Sequence, residues 1–133
     1  MSYDLIQQAL ELRLHLLAPN LPTAWANVAF TPPNSLYQRA FILQATTNNP
    51  SFGDTLARES GIFQVSICSP LGIGTADGWA RAKLIRDWFP RGLSMQMGGL
   101  IVRILNTPSI APAIKEEIAY VSPVSISYMC DVY

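Results

Sequence analysis

Histidine occurs once, at position 15, and cysteine twice, at 68 and 130. With one imidazole, a Ser-His-Asp triad would have to recruit His15, and Ser66, Ser69 and Ser94 all lack a GxSxG setting. Hydrolytic chemistry is therefore not expected. The two cysteines stand far apart with no metal-ligand cluster beside them, which predicts free, buried thiols in a reducing compartment. Acidic pairs are equally unpromising. Asp54 and Glu59 fall in a polar loop, and the adjacent Glu116 and Glu117 would point to opposite faces of a strand, so neither pair forms an acid and base couple or a metal site. No catalytic residue, cofactor or metal is expected. Charge is also scarce. Only 14% of residues are charged, nine basic against nine acidic, so the basic footprint of a nucleic-acid binder is missing. Such sparse charge suggests that a partner covers part of the surface. No apolar run approaches the roughly 20 residues that span a bilayer. The start, Met1-Ser2-Tyr3-Asp4, lacks the basic region of a secretory signal.

What the chain does contain is a hydrophobic half of its 133 residues, enough for one core and read as one domain, 1–133. The segment Gly61 to Gly92 organises it. Phe63, Val65 and Ile67 alternate with Gln64, Ser66 and Cys68 as in a strand with one buried side, ended by Pro70. Gly72 and Gly74 permit a sharp turn, and Thr75 is placed to cap a helix. On that helix Gly78, Ala82, Ile85 and Phe89 share one face suited to lie on a sheet, widened by Leu84 and Trp88. Pro90-Arg91-Gly92 stops it. The glycine turn superficially resembles a dinucleotide-binding fingerprint, but its spacing is off by one and no acid-bearing parallel strand follows. Gly78 is better explained by close approach of helix to sheet.

Before this segment, Ser2 can cap a first helix with Asp4, Gln8, Glu11 and His15 in one polar stripe. Leu5, Ala9, Leu12 and Leu16 form its apolar stripe, broadened by Ile6, Leu10, Leu14 and Leu17, more than a single contact requires. Trp25 to Phe30 is expected as a short strand before the Thr31-Pro32-Pro33-Asn34 turn. Tyr37 to Thr46 follows as a strand, with Tyr37, Phe41 and Leu43 on one side and Gln38, Ile42 and Gln44 on the other. After the central helix, the almost unbroken apolar run Leu100 to Leu105 predicts a strand covered on both faces. Asn106 to Pro112 interrupts it, a short strand surrounds Ile118, and Val124 to Val132 alternates as a half-buried last strand. The expected class is α+β, a mixed, mainly antiparallel β-sheet with two main helices packed on one face.

Two regions are candidates for contact. Trp79, with Lys83 and Arg86, occupies the side of the helix turned away from Ile85 and Phe89. Either the first helix covers Trp79 or the three residues form a subunit interface, where tryptophan and arginine are enriched. The polar segment Thr47 to Ser60 is longer than a hairpin needs. It carries Phe52, Asp54, Leu56, Arg58 and Glu59, which suit either a partner-gripping loop, mobile until it docks, or a solvated loop without a partner.

Ala24-Trp25-Ala26-Asn27-Val28-Ala29-Phe30-Thr31-Pro32-Pro33, Tyr37, Gly61-Ile62-Phe63-Gln64-Val65, the Gly72-Ile73-Gly74 turn, Phe89-Pro90-Arg91-Gly92 and Pro123-Val124-Ser125-Ile126 form an ordered set of landmarks. In these the chain resembles the small tail-terminator proteins of long-tailed bacteriophages, from about residue 5 to the end. It departs from them between Asn106 and Glu117. The resemblance implies an α+β structural virion protein without enzymatic activity. Such a protein forms a homo-hexameric ring that caps the tail tube, stops its growth and offers a surface for head joining. Its partners would be the tail tube protein and a head-completion (neck) protein, with DNA passing through the ring. It would be assembled in the host cytoplasm and end in the neck region of the virion tail. Phe52, Asp54, Arg58 and Glu59 would then face the tube or lumen, and Trp79, Lys83 and Arg86 a neighbouring subunit. Another head-to-tail connector, or a small-molecule-binding or hydrolytic α+β domain, are the alternatives.

Overall fold

Alternation and glycine placement account for most of what the chain builds. The computed structural model describes residues 2–17, 20–25, 28–50, 52–53, 55–72, 76–116 and 119–132. In order these form α1 (Ser2–His15), β1 (Thr23–Ala24), β2 (Tyr37–Gln44), β3 (Ala57–Pro70) and α2 (Ala76–Trp88). Then follow β4 (Ser94–Met97), β5 (Leu100–Ile104), β6 (Ser109–Ile110), β7 (Ile114–Lys115) and β8 (Ala119–Val132). The sheet runs β1-β2-β3-β8-β5-β4, with β6 and β7 also paired to β8. Every pair is antiparallel except β1 with β2. The fold is thus α+β, with both helices against one face. The side chain of Ser2, on which the first expected cap rests, and Thr75 and Ile118, on which the second cap and a short strand rest, lie outside what is described.

The spine is β3 paired to β8 over fourteen residues, from Ala57 opposite Val132 to Pro70 opposite Ala119. Because side chains alternate, Phe63, Val65, Val124, Ile126, Tyr128 and Cys130 all point to the helix side, where they are fully buried with Ala82, Ile85 and Phe89 of α2. Gly78 lets α2 approach: a Cβ there would stand 2.7 Å from the Ser69 hydroxyl oxygen. The helix face read from the sequence is therefore the buried one, except that Leu84 is exposed. α1 buries Ile6, Ala9, Leu10 and Leu14, followed by Leu17, and leaves Leu12 and Leu16 outside. The expected division of its apolar side is thus reversed, because the helix rests on β4 and β5 along the Ile6-Leu10-Leu14 row.

Four strand expectations change. Among the described residues from 25 to 30 none is in a strand; Val28 N–H donates to the Trp25 carbonyl at 3.2 Å, turning the chain after the short β1. The hairpin β4–β5, unforeseen, closes on Gly98 and Gly99 with φ of 57° and 86°, the left-handed geometry of a two-residue turn. The Leu100–Leu105 run is covered on one side only: Val102 and Ile104 are buried, Ile101 and Leu105 exposed. Nothing among the described residues packs over the second side. Finally, residues 109–115 form not an interruption but two short pairings along β8, which itself runs unbroken from Ala119. Cys68 and Cys130 are free and buried on opposite faces of the sheet, and burial pushes both thiol pKa values up.

Candidate functional site

The orientation of α2 is set by contacts on its other flanks. Arg81 is buried and its Nε donates to the Gln38 side-chain oxygen at 3.3 Å; the Gln38 amide in turn donates to the Thr23 hydroxyl at 3.0 Å. At the C-terminal end, Arg13 of α1 donates twice to the Trp88 carbonyl, at 3.2 and 2.9 Å. Its guanidinium lies 3.9 Å from the Trp88 ring centroid, and Trp88 Nε1 donates back to the Arg13 carbonyl at 2.7 Å. A cation at a helix C-terminus also complements the helix dipole. Neither Gln38 nor Arg13 stood out in the sequence. A glutamine on the covered side of β2 was the available signal, because a buried amide needs a partner.

With those flanks occupied, the third stays open. Trp79, Lys83 and Arg86, one turn apart along α2, are exposed and line a single groove of about 620 Å3 with Ala80, Asp87, Thr107 and Ile110. Trp79 is 48% exposed, and α1 contributes nothing to the groove, so the covering of Trp79 by the first helix is overturned. The three residues read from the sequence are brought together.

The polar segment is shorter as a loop than its composition suggested. Past Gln44 opposite Gly61, the β2–β3 ladder continues through Ala45 N–H to Ser60 O and on to an Asn48–Arg58 bridge. One extra residue on the first strand marks a bulge. Arg58 and Glu59 are thus strand residues with structural partners. Arg58 Nε meets Asp131 at 2.8 Å, holding that carboxyl below its ordinary pKa. Glu59 is 7% exposed and accepts the Thr47 hydroxyl at 3.1 and 3.0 Å. Asp54 lies outside the described residues. Of the three that are described, Phe52 is the one displayed at the tip, fully exposed, while Leu56 is buried and its carbonyl accepts Asn49 Nδ2 at 3.1 Å.

His15 is exposed on α1 and lines no cluster of titratable groups; among the described residues no three His, Cys, Asp or Glu side chains converge as for a metal. A shallow hollow of about 230 Å3 on the open sheet face, lined by Ile101, Arg103, Met129 and Asp131, holds no nucleophile with a base beside it.

The model of the phage tail terminator protein family matches residues 5–128. The chain belongs to the phage tail terminator family. It is therefore a structural tail protein, a component of the virion tail, as the resemblance in its landmarks implied. A solved structure with 34% identity aligns over 100% of this chain and 98% of its own, with a TM-score of 0.81. That neighbour bears no functional name and adds agreement in fold. No curated protein matches. The uncovered tryptophan groove and the exposed Phe52 fall at two separate places on this chain.

Proposed function

We propose that this family member is a working tail terminator, closing as a homo-hexameric ring on the end of the tail tube. In that position it stops tube polymerisation without any catalytic step and presents its outer surface to a head-completion protein in the neck. The observation that carries the reading is the Trp79-Lys83-Arg86 groove, an apolar and basic surface that the monomer leaves uncovered and that suits the contact to a neighbouring subunit. The Phe52 tip, with Asp54 two residues further along the sequence, is proposed to dock on the last ring of tube protein; Arg58 and Glu59 support it as the stem. Assembly takes place in the host cytoplasm.

The mass of the purified chain in solution, together with electron micrographs, tests the ring. Trp79→Ala should weaken subunit association by about 2 kcal/mol or more, the range of an interfacial hot spot. A folded Trp79→Ala chain that forms full rings at the same concentration overturns the role of the groove. Phe52→Ser should leave the ring intact and abolish capping of tube polymerised from purified tube protein. Tails of normal length in its presence would show the tip to be dispensable.

A further inference from the structure

The groove on α2 has a counterpart on the outer side of α1. Leu12, Leu16 and Val28 are 48%, 61% and 60% exposed, far more than large apolar side chains need be in a closed core. Leu12 and Val28 line one open apolar hollow of about 380 Å3 with Trp25, rimmed by Glu11 and His15. Trp25 directly follows β1, the strand at one edge of the sheet. The Trp79 groove is walled by Ile110 of β6, which pairs with β8 on its far side from β3. The two hollows share no lining residue and α1 contributes none to the Trp79 groove, so the chain does not close its own groove with its own α1.

Charge is complementary across the two sites. Among the described residues that line the α1 hollow, Glu11 is the one formal charge, whereas Lys83 and Arg86 outnumber Asp87 beside the groove. From this placement we infer that the occupant of the Trp79 groove is a second copy of the chain, which seats Leu12, Leu16 and Val28 there with Glu11 against Lys83. This deepens the ring reading and rests on it. Two different patches of one chain make a heterologous contact, the kind that propagates head to tail and closes when the rotation allows. It also accounts for an α1 with more apolar surface than its own sheet covers. The hairpin tip at Phe52 is left free for another partner.

Two single variants and their mixture test the pairing. Leu12→Asp and Trp79→Asp alter exposed positions, so both chains should keep the circular dichroism of the parent, and its melting at dilutions where the parent too is monomeric. Each alone should be monomeric where the parent forms rings, with association at least about 30-fold weaker. Mixed in equal amounts they should give a 1:1 dimer and nothing larger, since each supplies the one patch that the other lacks. In a single chain, Glu11→Lys with Lys83→Glu should recover the assembly that either reversal alone impairs. Rings formed by Leu12→Asp alone, or a mixture that stays monomeric beside a ring-forming parent, overturn the pairing and leave the ring itself standing. Self-dimers of Leu12→Asp overturn it too, since they require groove to meet groove. A parent chain that is monomeric at every concentration brings down the ring and this inference together.

Discussion

The two faces of the sheet are made from the same strands and differ in what covers them. On the helix side Phe63, Val65, Val124, Ile126 and Tyr128 meet α1 and α2, and Phe63 tilts against Phe89 with ring centroids 6.0 Å apart. On the other side only one end is closed. There Tyr37, Cys68, Ala119 and Val121 cluster beneath Phe30, whose ring centroid is 5.6 Å from that of Tyr37. Beyond that cluster lie half-exposed Gln64, Ser125 and Ser127, the Arg58–Asp131 pair, and exposed Leu43, Ile101 and Leu105. Stability is thus concentrated on one face, and the other can vary at little cost to folding. The same holds for the helices, whose inner rows are fixed by packing while Leu12, Leu16, Trp79 and Leu84 stay exposed.

Phe63→Ala should expose this contrast most strongly. Deleting a ring from the closed face should cost about 3–5 kcal/mol, read as a shift of the urea unfolding midpoint with unchanged slope. A loss under 1 kcal/mol would mean that the closed face is not where the stability lies. Gly78→Ala comes next. The added methyl must displace the Ser69 hydroxyl, which outweighs the gain in helix propensity, for a net cost of about 1–2 kcal/mol. Ser69→Ala in the same chain should recover most of it.

On the half-open face the effects shrink. Asp131→Asn should cost about 0.2–1 kcal/mol near neutral pH, the range of a surface ion pair. Arg58 lowers the Asp131 pKa from its ordinary 3.8. The stabilisation is therefore fully present above the unfolded pKa and disappears as pH falls through the folded one. Parent and variant should unfold alike at about pH 2; a gap that persists in acid would trace the loss to packing rather than charge. Smallest of all, Leu43→Ser and Ile101→Ser should each change monomer stability by no more than about 0.5 kcal/mol. A larger drop for either would mean that the open face is covered in the free chain.

Much of this architecture is written locally. The period-two pattern of Phe63 to Cys68 and of Val124 to Val132 specified the two spine strands. The Gly78-Ala82-Ile85-Phe89 row specified the buried side of α2 and, by elimination, the exposed side that carries Trp79, Lys83 and Arg86. The Gly98-Gly99 hairpin was equally legible as a two-residue turn between apolar runs, and went unread. Less could be read of the tip: from Thr47 to Ser60 polarity resembles a loop, yet Glu59 and Arg58 are strand residues because Thr47, Asn48 and Asp131 lie opposite them.

Periodicity is a property of neighbours along the chain, so the sequence by itself determined the element types, the spine and which side chains share a face. Tertiary structure decided which faces are covered, because burial depends on what another segment brings from a distance. Only the folded sheet places residues 109–115 along β8, rests α1 on its Ile6-Leu10-Leu14 row, and leaves Ile101 and Leu105 bare within an apolar run. It also keeps the Leu12 hollow and the Trp79 groove apart, with no lining residue in common, an arrangement that has no local signature.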